Sequence, residues 1–264
     1  MAQADSVIKK TRPAVLHPVT ALRIAIIVVA VVIWEAVSAS GLLFRDVVPS
    51  LLTIGRAIVE LLRNPNFYWN LGVTGGEILG ALAIGGGAGL VVGLVLGGSR
   101  FFARAYEPYL YYLGPTPKII FFPIMIMWFG VGPGSKVAMG ALSCFFPIAL
   151  SVAAGMRQID EVLIRVGRSF RAATWQMVTK IYLPAMRQPI INGLRLGFGV
   201  AIIGTLLAET KLSNRGLGFL IINSYSTFDM PRMYALLTLL FIIAIGANAL
   251  IGRLSGLHAN NQPR

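Results

Sequence analysis

The chain has 264 residues, 56% of them hydrophobic and only 12% charged, with a formal net charge of +13. Soluble domains carry about 25% charged residues, so this composition excludes a soluble enzyme, a disordered tail and a disulfide-stapled secreted domain. It reads as a polytopic membrane protein, whose cytoplasmic loops collect Lys and Arg; the basic balance then needs no nucleic acid.

In chain order, a polar N-terminal segment (1–20) leads into an apolar run from Leu22 to Leu43, interrupted by Arg23 and Glu35. The run is too long for a cleaved signal peptide, and no small-residue cleavage site follows it before Arg45. With the loop after it, this first spanning helix occupies residues 21–65. Thr74 to Gly97 is a second span, carrying Glu77 and a glycine every fourth residue at Gly85, Gly89, Gly93 and Gly97; Gly76 and Gly80 share that spacing. Such a flat face suits close helix approach, within one subunit or between two.

The third span, Ala105 to Val131, is interrupted by Pro108, Pro115, Pro117 and Pro123, and each interior proline is expected to kink it. Val137 to Met156 is the fourth, with Cys144 expected as a small buried hydrophobe. The fifth runs from Pro189 to Glu209 and the sixth from Met233 to Leu254, before a short tail (255–264). The expected fold class is therefore an all-α membrane protein with six transmembrane helices.

Charge sets the direction. Lys9, Lys10, Arg12, Arg23, Arg100, Arg104, the six bases between spans four and five, Arg253 and Arg264 make fourteen on one side. Arg45, Arg56, Arg63, Lys136, Lys211, Arg215 and Arg232 make seven on the other. The excess places both termini in the cytoplasm. Lys118 and Arg195 fall inside spans, where charge is costly and faces a cavity or a partner. Lys118 is a candidate to meet an anionic solute, against a pairing with Glu107 or a place at the cytoplasmic end. Arg195 is expected to snorkel to the inner interface. Phe121, Phe122, Met125, Met127 and Trp128 are candidate path-lining residues, and Glu209 and Lys211 candidate gate or docking residues at the outer end.

Loops between helices commonly take 2–8 residues, yet Arg157 to Gln188 is far longer. In Asp160–Arg171, Val162, Leu163, Val166 and Phe170 recur at helical spacing opposite Arg165, Arg168 and Arg171. A second short helix is expected from Trp175 to Tyr182, stopped by Pro184. This amphipathic pair either lies on lipid headgroups or docks into a partner protein. The tight Arg171-to-Trp175 turn and the Leu183-Pro184 end favour a shaped knob for docking.

The stretch from Gly167 to Pro184 resembles the cytoplasmic coupling loop of ABC importer permeases, whose pattern is Glu-Ala-Ala, three residues, Gly, nine residues, Ile-x-Leu-Pro. Ile181-x-Leu183-Pro184 matches its end, Arg165, Val166 and Gly167 fall on the Glu-Ala-Ala positions, and Arg171 falls on the glycine. Pro117 to Gly132, Phe145-Phe-Pro147, Gly193-Leu-Arg195, Ala208-Glu209, Gly216-Leu-Gly218, Trp34-Glu35 and Val48-Pro-Ser50 are similar to the nitrate/sulfonate/taurine/bicarbonate branch of that family. The resemblance implies a type-1 transmembrane domain over 66–254 in the bacterial inner membrane. It implies two copies of the chain forming the path, two ATP-binding subunits holding ATP and Mg, and an external solute-binding protein. By the same resemblance Leu163, Phe170 and Trp175 would anchor the ATP-binding subunit, Val162, Leu183 and Pro184 would belong to the same coupling surface, and Arg165, Arg168 and Arg171 would form its rim or contact lipid headgroups. No Gly-x-x-x-x-Gly-Lys phosphate loop occurs, and His17 and His258 sit in polar terminal segments, so catalysis and cofactors in this chain are not expected. The competing class is an ATP-independent secondary transporter or channel with a lipid-facing loop, which inverted repeats would support; none is evident.

Overall fold

The computed structural model describes residues 18–41 and 47–256. Lys9, Lys10, Arg12 and His17, Arg45 in the segment 42–46, and His258 and Arg264 lie outside the described residues. Every regular element described is a helix. Among the described residues five helices are long and apolar enough to cross a membrane, or six spans if one bent pair is a single span.

The chain divides into two units, the first ending at Ile54 and the second starting at Gly55. The first unit is built on α1, Pro18–Ser40. Its last turns are tied to the segment that follows: the Trp34 indole donates to the Pro49 carbonyl (3.1 Å) and the Ser38 hydroxyl to the Val48 carbonyl (3.0 Å). Glu35, an acid inside an apolar run, accepts the Leu51 N–H at 3.1 Å. A carboxylate at a helix N-terminus meets both a free donor and the positive end of the dipole, which explains its presence. The helix it caps is α2, Leu51–Arg63, whose Ile54, Ala57 and Leu61 form one buried stripe.

The second unit is organised around α6, Pro133–Met156, with α3, Pro65–Gly98, on one side and α9, Arg187–Lys211, on the other. Small residues make this possible. A Cβ on Gly85 would lie 2.2 Å from the Ala141 carbonyl oxygen, on Gly93 2.6 Å from Val152 Cβ, and on Gly97 2.3 Å from Met156 Cβ. One on Gly89 would lie 2.9 Å from the Phe145 carbonyl oxygen. The four-residue glycine face thus seats α3 on α6 of the same chain. Gly76 has open space around it and is not part of that contact. On the opposite flank Gly193, Gly197 and Gly204 of α9 meet Ser151, Ile148 and Ser143. Cys144, Ile148, Val152, Met156, Ile159, Met186 and Ala201 form the buried core between them.

α3 begins well before Thr74 because Asn64 caps it (Asn66 N–H to Asn64 Oδ1, 2.9 Å) and Pro65 occupies its first turn, where no N–H is needed. At Leu82–Gly86 it widens into a π-helical turn, and the Cys144 thiol donates to the nearby Ala81 carbonyl at 3.5 Å. Cys144 is therefore a weak hydrogen-bond donor to this irregular turn as well as a core atom.

The third expected span is two helices, α4 (Arg100–Leu113) and α5 (Lys118–Phe129), bent by 92°. Only Pro115 and Pro117 break the path. Pro108 is carried inside α4, and Pro123 lies in the first turn of the α-helical part of α5, where its missing N–H costs nothing.

Between α6 and α9 lie α7, Glu161–Ser169, and α8, residues 174–185. Asp160 caps α7 by accepting the Val162 N–H at 2.8 Å. Pro184 does not stop α8: the helix widens to a π turn over Met177–Tyr182, and Pro184 falls in the first turn of the α-helical segment that resumes at Leu183. A register change of this kind accommodates a proline that a regular helix would reject. After loop 212–216 comes α10, Leu217–Ser226, a short apolar helix not anticipated from the sequence, and then α11, Met230–Gly256.

Candidate functional site

One end of the second unit carries the α7–α8 pair. Gly167 is where the two helices touch, since a Cβ there would lie 2.4 Å from Ile181 Cδ1 and 2.6 Å from Met177 Sδ. Ile164 and Tyr182 pack on the central core, which joins the pair to α6 and α9. The outward face is apolar: Val162, Leu163, Val166, Phe170 (82% exposed) and Trp175 (63% exposed) point away from the protein. Arg165, Arg168 and Arg171 are exposed beside them, Arg165 within 3.4 Å of Glu161, while Leu183 is half-buried and Pro184 exposed.

The turn between the helices has a defined construction. Arg171 takes a left-handed backbone conformation (φ 50°). The Ala172 N–H donates to the Gly167 carbonyl (3.1 Å) and the Arg171 N–H to the Arg168 carbonyl (2.9 Å). These two bonds are a Schellman motif, which normally places glycine at the left-handed position. The turn geometry is thus retained although arginine supplies it.

At the same end Arg157 makes a two-pronged ion pair with Glu107 on α4, both contacts 2.8 Å. The hydrogen bond to Glu107 holds the guanidinium still further above its ordinary range. Glu107 is therefore Arg157's partner and not Lys118's. Lys118, at the start of α5, donates instead to the carbonyls of Gly114 and Thr116, with its ammonium 5.1 Å from the centre of the Phe146 ring. It covers the carbonyls left by the proline corner. Arg195 donates to Asn248 Oδ1 on α11 at 3.3 Å, a helix-to-helix bond where snorkelling was expected.

The aromatic and Met candidates on α5 separate into two groups. Phe122 is buried against Met139 and Ala208, with Met125 packed on the same cluster; Trp128, Met127 and Phe121 are exposed. Phe122 is thus a core residue and not a path-lining one.

The opposite end holds a buried polar cluster. Glu209 is fully buried, so it lines no open path. Its Oε1 accepts the Thr74 hydroxyl (2.7 Å) and its Oε2 the Gly218 N–H (2.6 Å). The Leu217 N–H donates to Thr74 Oγ1 (2.8 Å) and the Gly216 N–H to Asn70 Oδ1 (2.7 Å). Three amides at the start of α10 are thereby satisfied by side chains of α3 and α9, and a carboxylate sits on the positive end of that helix. Gly216 is required here: its φ is 97°, and a Cβ would lie 2.3 Å from Glu209 Oε1.

Glu77 and Lys136 complete the cluster, both more than nine-tenths buried. Lys136 sits in the first turn of α6 and donates to the Leu212 carbonyl (2.7 Å) and the Val131 carbonyl. Counted from the sequence only as a base just before the fourth span, it is instead part of the helix and buried. Asn70, Thr74 and Glu77 are not among the site residues expected from the sequence, although their spacing along an apolar helix places them on one face and is the signal that marks them.

Comparison with known proteins places this geometry. Residues 85–259 match a family described as "Binding-protein-dependent transport system inner membrane component". The chain is 28% identical over 207 residues to the "Putative aliphatic sulfonates transport permease protein SsuC" of Bacillus subtilis (strain 168), covering 78% of this chain and 75% of that one. It is 32% identical over 178 residues to the "Taurine transport system permease protein TauC" of Escherichia coli (strain K12), covering 66% and 65%. To the "Nitrate import permease protein NrtB" of Synechococcus elongatus it is 26% identical over 172 residues, covering 63% and 62%. Among solved structures, a chain of the MetNI methionine ABC transporter in inward-facing conformations superimposes with a TM-score of 0.59 at 19% identity, covering 77% of this chain and 95% of that one.

Proposed function

Because the chain belongs to the family of binding-protein-dependent transport system inner membrane components, we propose that it is the permease subunit of an ATP-driven importer that moves a small anionic solute inward by alternating access. Relatives named for sulfonates, taurine and nitrate support a solute with an anionic group, while others are named for a formylaminopyrimidine and for riboflavin. A second copy of the chain completes the path, an external solute-binding protein delivers the cargo, and both termini face the cytoplasm. ATP and Mg reside on two partner subunits; this chain contains no Gly-Lys pair and hence no phosphate loop.

The observation that carries this reading is the outward apolar face of α7–α8. Exposed Phe170 and Trp175 on a compact helical knob suit a partner's groove, where buried aromatics supply most of the binding energy. The knob is continuous with α6 through Ile159 and with α9 through Met186, both in the central core. A displacement of the knob by a closing ATP-binding pair therefore tilts the two central spans together.

The test is Phe170→Glu. We expect normal membrane insertion, a loss of ATP-dependent uptake of at least about tenfold, and ATP hydrolysis no longer stimulated by loaded binding protein. Unchanged uptake would remove the docking role and leave the lipid-facing reading. Lys118 is proposed as the cation that meets the anion near the proline corner. Lys118→Met should raise the half-saturating solute concentration about tenfold with little change in maximal rate, read from uptake in membrane vesicles.

A further inference from the structure

Arg195 is exposed on the flank of α9, inside one of the apolar spans, and has no acidic counterpart among the described residues. The two ion pairs found among those residues are Arg157 with Glu107 and Arg165 with Glu161. The acid on α9 is Glu209, buried fourteen residues further along, about 21 Å away at 1.5 Å per residue, and α11 carries none. The bond to Asn248 places the Nε–H on a neutral amide and leaves the positive charge unmatched. A lone guanidinium within a span is costly unless an anion meets it.

The place has shape as well as charge. Gly252 of α11 forms a ledge for the guanidinium, since a Cβ there would lie 3.3 Å from Arg195 Cζ. With Nε held by Asn248, the two terminal nitrogens form the planar fork that suits two oxygens of one phosphate. Arg253, the next residue, is exposed and ends the apolar stretch of α11, Met230–Arg253. The guanidinium therefore stands at the level where apolar surface gives way to headgroups. From Arg195 towards the far end of α9, the exposed face continues as Leu196, Ile203 and Leu207, whose spacing puts them on one side of the helix. A charged head beside a long apolar strip matches an amphiphile, whereas a small soluble anion leaves the strip bare.

We propose that this place binds an anionic phospholipid, with its phosphate on Arg195 and Arg253 and an acyl chain along Leu196, Ile203 and Leu207. Basic positions between membrane helices at a leaflet boundary recognise such headgroups. A bound lipid bridges α9 and α11 and so stabilises their pairing. The inference does not depend on the transport reading, and its test uses no transport measurement.

The experiment is thermal unfolding of the full chain purified in detergent, with dioleoyl-phosphatidylglycerol or dioleoyl-phosphatidylcholine added to the micelles. The two lipids share acyl chains and differ in net charge. Phosphatidylglycerol is expected to raise the melting temperature saturably by about 4 °C, and phosphatidylcholine by about 1 °C or less. Arg195→Gln should need about tenfold more phosphatidylglycerol for the same rise, while Arg56→Gln on α2 should need no more. Equal rises with the two lipids overturn the proposal, as does an Arg195→Gln protein with an unchanged requirement. An equal loss in Arg56→Gln assigns the effect to overall charge and also overturns it. A rise produced by sodium sulfate alone, with no further effect of phosphatidylglycerol, assigns the site to a soluble anion and overturns the lipid. If Arg195→Gln does not fold, Arg253→Gln decides: a requirement about threefold higher supports the site, and an unchanged one overturns it.

Discussion

Arg171 holds a backbone conformation that glycine adopts without cost, and Phe228 (φ 58°) does the same at the end of α10. There too the pattern is a Schellman turn, with Asp229 N–H to Ser224 carbonyl (2.8 Å) and Phe228 N–H to Tyr225 carbonyl (3.1 Å). A left-handed non-glycine residue costs about 1–2 kcal/mol, part of which glycine returns as greater freedom in the unfolded chain. Arg171→Gly should therefore stabilise the protein by about 0.5–1 kcal/mol in thermal unfolding, whereas Arg171→Ala should not. Comparing uptake by the two variants separates the arginine's charge from its backbone. Alignment on Ile181-x-Leu183-Pro184 puts Arg171 at the glycine position of the coupling-loop pattern. That the turn survives there follows from two backbone bonds, which do not depend on the side chain.

At the scale of elements, the glycine face of α3 was visible as spacing, but its partner was not. The same four-residue period serves a contact within one chain or between two, and only the positions of Ala141, Phe145, Val152 and Met156 show that α6 fills it. Gly89→Leu should cost about 3 kcal/mol or more, because the new side chain meets the Phe145 carbonyl and Ile148 with no room to yield. We expect reduced membrane yield and a lower melting temperature; a fully stable variant would mean that α3 is held by other contacts. Prolines show the converse limit. Composition identifies Pro108, Pro115, Pro117 and Pro123 as interruptions, yet whether each bends the chain depends on its position within a turn, and only the 115–117 corner does so.

For the whole molecule, the two ends of the second unit have opposite characters. One presents exposed apolar side chains on α7–α8; the other buries Asn70, Thr74, Glu77, Lys136 and Glu209 around the start of α10. Vesicles containing this chain without ATP-binding subunits should show no solute uptake, and adding those subunits with ATP should restore it. Uptake by the chain alone would favour the ATP-independent class.

Composition, hydropathy and the spacing of apolar residues determined the membrane class, the number of spans and the amphipathic pair between the fourth and fifth. These are properties of local segments, and water and lipid act on each segment wherever it lies. The tertiary structure alone decided where the rare polar groups went. Glu209 became a helix cap, Lys136 was buried in the first turn of a helix, Phe122 entered the core, and Glu107 was paired with Arg157. A buried charge is stabilised by partners distant in the chain, here 135 residues apart for Thr74 and Glu209, and no local pattern records which distant residue will arrive.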